Sequence, residues 1–172
     1  MSATLHVIFG PSGAGKTTYA LAFARREKAV PFILDDWMAR LFGPDTPNPI
    51  EFEWMMERVT RCEAQIWSCA AGVLAAGTPA ILDIGLMRRS DRDRVREIAE
   101  GAGLPLQFHY VTAPQEVRRA RVAERNIVRG ETFAIDVLPE HFDFIEGVFE
   151  TPDDEELRDA VVSGGPSFRP PT

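Results

Sequence analysis

The chain has 172 residues, a length that fits one ordinary domain whose core needs no disulfide or structural metal. With 45% hydrophobic and 26% charged residues the composition is globular, which excludes disorder throughout. The 19 basic and 26 acidic residues leave a net charge of −7, and that balance argues against a non-specific nucleic-acid binder.

In chain order, residues 4–9 form a short apolar, β-branched run that stops at a Gly-rich turn, the pattern of a buried strand. Residues 16–28 carry strong helix formers and end in basic residues, so they predict a helix. A second strand is expected at 30–34, followed by Asp35 and Asp36, a short amphipathic piece and the loop GPDTPNP at 43–49. A long helix fits 50–76, where Phe52, Met55, Val59, Cys62, Ile66, Cys69 and Val73 recur every three or four residues. A third strand is expected at 79–84, a helix at 90–101, a fourth strand at 104–111, and a helix opening at Pro114. Residues 130–138 read as a loop, 139–149 as a helix, 150–159 as an acidic linker and 160–163 as a last strand. Strands separated by helices imply a parallel sheet in a three-layer α/β/α fold. The expected organisation is a single domain over 1–163 and a flexible tail over 164–172.

Cys62 and Cys69 lie seven apart in one predicted helix, a spacing that a local disulfide cannot span, so both are expected as free thiols in a reducing cytoplasm. The opening MSATLHVIFG lacks a basic leader, and no apolar run reaches transmembrane length, so neither secretion nor membrane insertion is expected.

Residues 10–17 read GPSGAGKT, the Walker A pattern GxxxxGK[ST], between a predicted strand and a predicted helix. In that context the backbone of Gly10, Pro11, Ser12, Gly13, Ala14 and Gly15, with Lys16, Thr17 and Thr18 at the helix start, forms a cradle for the phosphates of ATP. Lys16 would reach the β and γ phosphates, and the Thr17 hydroxyl would help to hold Mg²⁺. The carboxyl ends of parallel strands share one edge, so Asp35, Asp36 and Asp83 emerge beside this loop. A carboxylate there can bind Mg²⁺ or accept the proton of an attacking hydroxyl, and a plain helix cap is the competing explanation for Asp35 and Asp36. The apolar run ending in ILD at 81–83 resembles a Walker B strand and assigns the metal role to Asp83.

Seventeen of the 19 basic residues are Arg, and ten of them fall in two stretches, RRSDRDRVR at 88–96 and RRARVAERNIVR at 118–129. Arg121, Arg125 and Arg129 are spaced i, i+4, i+8, a like-charge face that a shared anion would relieve. The expectation is a lid over about 121–137 that closes on ATP, with a solvated face balanced by Glu116 and Glu124 as the alternative. Arg88, Arg89 and Arg92 are either a grip for an anionic acceptor or an exposed helix start paired with Asp91 and Asp93.

The combination of GPSGAGKT, LDD at 34–36, ILD at 81–83 and RNIVRG at 125–130 followed by IDVL at 135–138 resembles the small AAA-type P-loop proteins of the zeta-toxin, polynucleotide-kinase and chloramphenicol-phosphotransferase group. The RNxxRG element leading to IDVL is similar to the lid of phage polynucleotide kinases. The resemblance implies a five-stranded sheet of order 2-3-1-4-5, donor-phosphate contacts from Lys16, Thr17, Arg125 and Arg129, a catalytic function for Arg129 beside Lys16, and Asp35 as general base. Polynucleotide kinases place an Arg three residues after the base, where this chain has Met38; Arg40 is out of register. The expected activity is therefore transfer of a phosphoryl group from ATP to a small-molecule hydroxyl, by a monomer or homodimer. Trp37, Met38, Phe42, Trp54 and Met55 form either an acceptor wall or core packing. An ATP-hydrolysing module without a phosphorylated product and a 5′-hydroxyl polynucleotide kinase are the alternatives.

Overall fold

The computed structural model describes residues 3–128 and 139–164. The strands are β1 (Leu5–Phe9), β2 (Val30–Ile33), β3 (Ala80–Asp83), β4 (Leu106–Val111) and β5 (Val161–Ser163). They form one parallel sheet in the order β2-β3-β1-β4-β5, the order that the resemblance implied. The helices are α1 (Lys16–Glu27), α2 (Leu34–Phe42), α3 (Phe52–Ala75), α4 (Arg89–Gly101), α5 (Gln115–Val128), α6 (Pro139–Val148) and α7 (Asp154–Leu157). Crossover helices are what parallel neighbours require, so the sequence pattern leads directly to the layers.

Side-chain alternation divides the core. Leu5, Val7 and Phe9 of β1 face one way and pack with Ile66, Ala70 and Leu74 of α3 and Val95 and Ala99 of α4. Ile8 faces the other way and packs with Ala20, Phe23 and Ala24 of α1, Ile81 and Val111. Cutting a fully buried side chain such as Ile66 to Ala would cost about 2–5 kcal/mol through lost transfer energy and a cavity. The α1 face also holds a polar chain, in which His6 Nδ1 lies 3.0 Å from His109 Nε2 and the Tyr19 hydroxyl lies 2.9 Å from His109 Nδ1. Burial pushes the His109 pKa down to about 4, with the neighbouring His6 and Arg26 acting in the same direction. His109 is therefore a neutral core side chain at physiological pH.

Two local expectations change. Leu34 opens α2 instead of ending β2, so Asp35 and Asp36 occupy the first turn of a helix, where carboxylates interact favourably with the positive end. The expected acidic linker contains α7, whose start is capped by the Asp153 side chain accepting from the Glu156 N–H at 2.9 Å. Residues 121–128 are helical and belong to α5, as the i, i+4, i+8 spacing expects, whereas 129–138 of the expected lid lie outside the described residues, as do residues 165–172 of the expected tail. Cys62 and Cys69 are free thiols, as the spacing required.

Candidate functional site

The sheet register collects the candidate residues at one edge. Asp83 ends β3 level with Ile8 of β1 on one side and Ile33 of β2 on the other. Two residues past each of these partners come Gly10, which opens the loop before α1, and Asp35. Carboxylates and loop drawn from distant parts of the sequence therefore emerge together because parallel strands end together.

Two glycines make the loop's path possible. Gly10 has φ of 149°, and an added Cβ would lie 1.9 Å from the Val111 carbonyl oxygen at the end of β4. Gly13 has φ of 74°, and its Cβ would lie 2.6 Å from the Arg118 carbonyl oxygen of α5. The loop is thus pressed between β4 and α5.

Arg118 Nη1 donates to the Ser12 carbonyl at 3.2 Å, and Arg121 Nη1 donates to the Ala14 carbonyl at 3.4 Å. In a trans peptide the carbonyl and the following N–H point in opposite directions, so these contacts turn the Gly13 and Gly15 N–H groups away from α5. Such inward N–H groups at the start of a helix are what a phosphate oxygen needs. Arg118 is also held by the Ala113 carbonyl at 2.9 Å and by both oxygens of Glu146, with Nη2 at 2.7 Å from Oε1. The sequence pointed to Arg125 and Arg129 and overlooked Arg118, because its partners come from α6 and from backbone carbonyls, neither of which leaves a local spacing.

The Thr17 hydroxyl donates to Asp83 Oδ2 at 2.8 Å, so the two oxygens assigned to Mg²⁺ lie side by side. Burial pushes the Asp83 carboxyl up; Lys16 and the Thr17 hydrogen bond oppose this, and Asp35 adds to it. Lys16 and Asp35 are therefore within electrostatic reach of Asp83. Lys16 Nζ donates to the Pro11 carbonyl at 3.1 Å, folded back across the loop.

The paired acids at 35 and 36 differ. Asp36 accepts from Arg40 Nε at 2.8 Å one helical turn away, whereas Asp35 is exposed and makes no side-chain hydrogen bond or ion pair among the described residues. Arg125 Nε is buried without a hydrogen-bond partner among the described residues, a donor suited to an anion. Arg129 lies outside the described residues.

The hydroxyl and carboxylate of Thr17 and Asp83, the loop N–H groups and Arg125 together fit a nucleotide with its divalent ion. Among the described residues no group of three or more His, Cys, Asp or Glu side chains could hold a metal alone. A hard cation at Thr17 and Asp83 would thus draw further oxygens from phosphate and water, as Mg²⁺ commonly does.

The cluster at 88–96 is not part of this donor set. Arg92 is fully buried and forms a two-point pair with Glu156, Nε to Oε1 at 2.7 Å and Nη2 to Oε2 at 3.0 Å. Arg89 is engaged by Asp153, by Glu155 at 3.1 Å and by Asp93 at 3.7 Å. The expected acceptor grip by Arg89 and Arg92 is thereby corrected, since the acidic segment 150–159 takes up these charges. Asp91, expected as an ion-pair partner, instead caps α4 by accepting from the Arg88 N–H at 2.9 Å. Trp37, Met38 and Phe42 are half-buried against the core, and Trp54 and Met55 are half-buried at the start of α3.

The fold is shared with solved structures, kinases among them. A candidate kinase from Chloroflexus aurantiacus aligns over 97% of this chain and 90% of its own, at 16% identity and a TM-score of 0.75. Kti12 from Chaetomium thermophilum, solved with ADP-AlF3, aligns over 93% of this chain and 88% of its own, at 19% identity and 0.67. The APS kinase CysC of Mycobacterium tuberculosis, solved with AMPPNP and APS, covers 89% of this chain and 85% of its own, at 15% identity and 0.61. At these identities the likeness establishes the fold. A search of curated proteins finds no match. The model of the AAA domain matches residues 5–152, from β1 through α6 and the residues that follow it, and this chain accordingly belongs to the AAA domain family.

Proposed function

We propose that the protein is an ATP-dependent phosphotransferase that moves the γ-phosphate to a hydroxyl group of a small molecule. The observation that carries this reading is Asp35, an acid without a side-chain partner among the described residues, on the same strand edge as the phosphate loop and within electrostatic reach of Asp83. A metal ligand or a purely structural acid would be engaged, as Asp83 is by Thr17 and Asp36 by Arg40. A base for an incoming hydroxyl must be accessible.

In this reading the loop N–H groups and Lys16 hold the phosphates of ATP, Thr17 and Asp83 hold Mg²⁺, and Arg125 and Arg129 approach the transferring phosphoryl group. Bound Mg²⁺ offsets phosphate charge that builds on the leaving oxygens. Asp35 orients the acceptor hydroxyl and takes its proton. The solved structures of the same fold, two of them with nucleotides or nucleotide analogues and one of these an APS kinase, support a nucleotide in the loop.

The net charge of −7, together with the pairing of Arg89, Arg92, Arg94 and Arg96 with acids, supports a small acceptor over a nucleic-acid strand. The free thiols fit a cytoplasmic setting. Among the described residues no helix is long and apolar enough to cross a membrane.

The test is acceptor-stimulated ADP release across a panel of hydroxy compounds. Asp35→Asn should abolish the stimulation while nucleotide binding persists, and Lys16→Ala should weaken nucleotide binding itself. Unchanged stimulation in Asp35→Asn would remove the base role; ATP turnover without stimulation by any acceptor, equal in the parent and Asp35→Asn, would favour a hydrolysing module.

A further inference from the structure

Arg58, which the sequence did not single out, packs against the end of α2, the helix that carries Asp35 in its first turn. Arg58 lies in the second turn of α3, and only 21% of its side chain is exposed. Its Cζ lies 3.9 Å from the centroid of the Trp54 ring, one turn back on the same helix, and 5.7 Å from that of Phe42 on α2. Nη1 donates to the Trp54 carbonyl at 3.0 Å and approaches Glu57 at 3.4 Å. Glu57 is itself committed to Arg61 through its other oxygen. Nε and Nη2 make no hydrogen bond among the described residues, so one edge of the guanidinium fork is open while its plane lies over the Trp54 ring and near that of Phe42.

Phe42 follows Asp35 by seven residues, two turns of α2, which puts both on one face of that helix about 10 Å apart along its axis. The Phe42 end of that face is where Arg58 packs. A guanidinium oriented by aromatic faces, with a donor edge free, is shaped for a carboxylate or phosphate. The apolar residues between, Met38 and Phe42, suit the carbon frame of a compound that spans the two ends.

We infer that the acceptor carries an anionic group, carboxylate or phosphate, in addition to the hydroxyl that faces Asp35, and that the Nε/Nη2 edge of Arg58 grips it. The inference rests on the phosphotransferase reading for the hydroxyl, whereas the anion site can be read independently. Arg58 thereby sets specificity between charged and uncharged compounds of the same size.

The experiment uses the full chain with AMPPNP and Mg²⁺ and follows Trp fluorescence, to which Trp54 beneath the guanidinium contributes. Charged and uncharged partners are titrated in pairs: gluconate against sorbitol, tartrate against threitol, and glycerol 3-phosphate against glycerol. Expected is saturable binding by at least one anionic member, weakened about 10- to 100-fold in Arg58→Gln with AMPPNP affinity unchanged. Arg58→Lys keeps the charge without the fork and should recover only part of the affinity. For an anion that is also phosphorylated, Arg58→Gln should raise KM with little change in kcat.

The inference is overturned if no anionic member binds, if uncharged members bind as well as their partners, or if Arg58→Gln binds the anion as the parent does. An anion bound through Arg58 while Asp35→Asn turns over ATP like the parent would instead count against the phosphotransferase reading alone. Phosphorylation of an uncharged member only would leave that reading standing and remove the anion.

Discussion

The two arginine-rich stretches look alike in sequence and serve opposite ends in the structure. In 88–96 four of the five arginines are paired with acids within the fold: Arg92 is fully buried against Glu156, Arg89 lies among Asp93, Asp153 and Glu155, and Arg94 and Arg96 meet Glu63 and Asp93. In 118–128, Arg118 and Arg121 turn to the carbonyls of the phosphate loop, and Arg125 leaves a buried Nε without a partner among the described residues. The difference lies in what the rest of the chain brings to each. The acidic segment 150–159 is docked on α4, while α6 supplies Glu146 to Arg118 and Asp143 to Arg119 at 2.5 Å, and neither reaches Arg125. Arginine clustering alone therefore does not mark an anion site: Arg92 keeps one unpartnered nitrogen, Nη1, but its other two are committed to Glu156, whereas Arg125 has no acid partner among the described residues.

The largest test of the contrast is Glu156→Gln, which strands a buried guanidinium whose Nη1 already lacks a partner among the described residues. The expected loss is about 3–5 kcal/mol in urea denaturation, with nucleotide affinity of the folded fraction unchanged. A loss of nucleotide affinity instead would place the first cluster in the donor site.

Next in size is Arg125→Ala. Removal of a hydrogen bond to a charged phosphate should weaken nucleotide binding by about 1.5–3 kcal/mol, roughly 10- to 150-fold by calorimetry, with little change in stability. Equal nucleotide affinity would mean that the unspent donor serves the core.

A third prediction concerns pH. Hydrogen bonding and charge from Arg92 hold the Glu156 carboxyl below the usual carboxylate range. The folded chain then binds this proton less readily than the unfolded chain, so the stabilisation is complete above the ordinary Glu pKa of about 4.3 and is lost as pH falls through the lowered value. Denaturation midpoints measured down through that range should fall in the parent, and Glu156→Gln should lack this component. A parallel fall in both proteins would assign the acid sensitivity to other carboxylates.

The smallest effect is expected from Arg89→Ala. Its partners are solvent-exposed, and such pairs contribute little once water and salt screen them. The denaturation midpoint should stay near that of the parent; a shift comparable to that of Glu156→Gln would show that the exposed pairs hold the acidic segment in place.

The strand–loop–helix unit at residues 5–27 is legible because each part has a local cause: a β-branched run, glycines at φ values that other residues avoid, and helix formers ending in basic residues. Asp35 and Asp83 were legible as edge residues because parallel strands force their ends together. The end of β2 falls one residue earlier than the sequence suggests, since an apolar Leu34 suits the end of a strand as well as the first turn of a helix.

By itself the sequence determined the α/β layering, the phosphate loop and the acids beside it, because alternation, helical period and Gly-dependent turns act over a few residues. Only the tertiary structure decided where the charges are spent. It paired Arg92 with Glu156, 64 residues away, turned Arg118 to Ser12, 106 residues away, and left Asp35 apart from the ion pair of Asp36. Electrostatic partners are set by proximity in space, and the spacing of residues along a chain does not record that once the chain has folded back on itself.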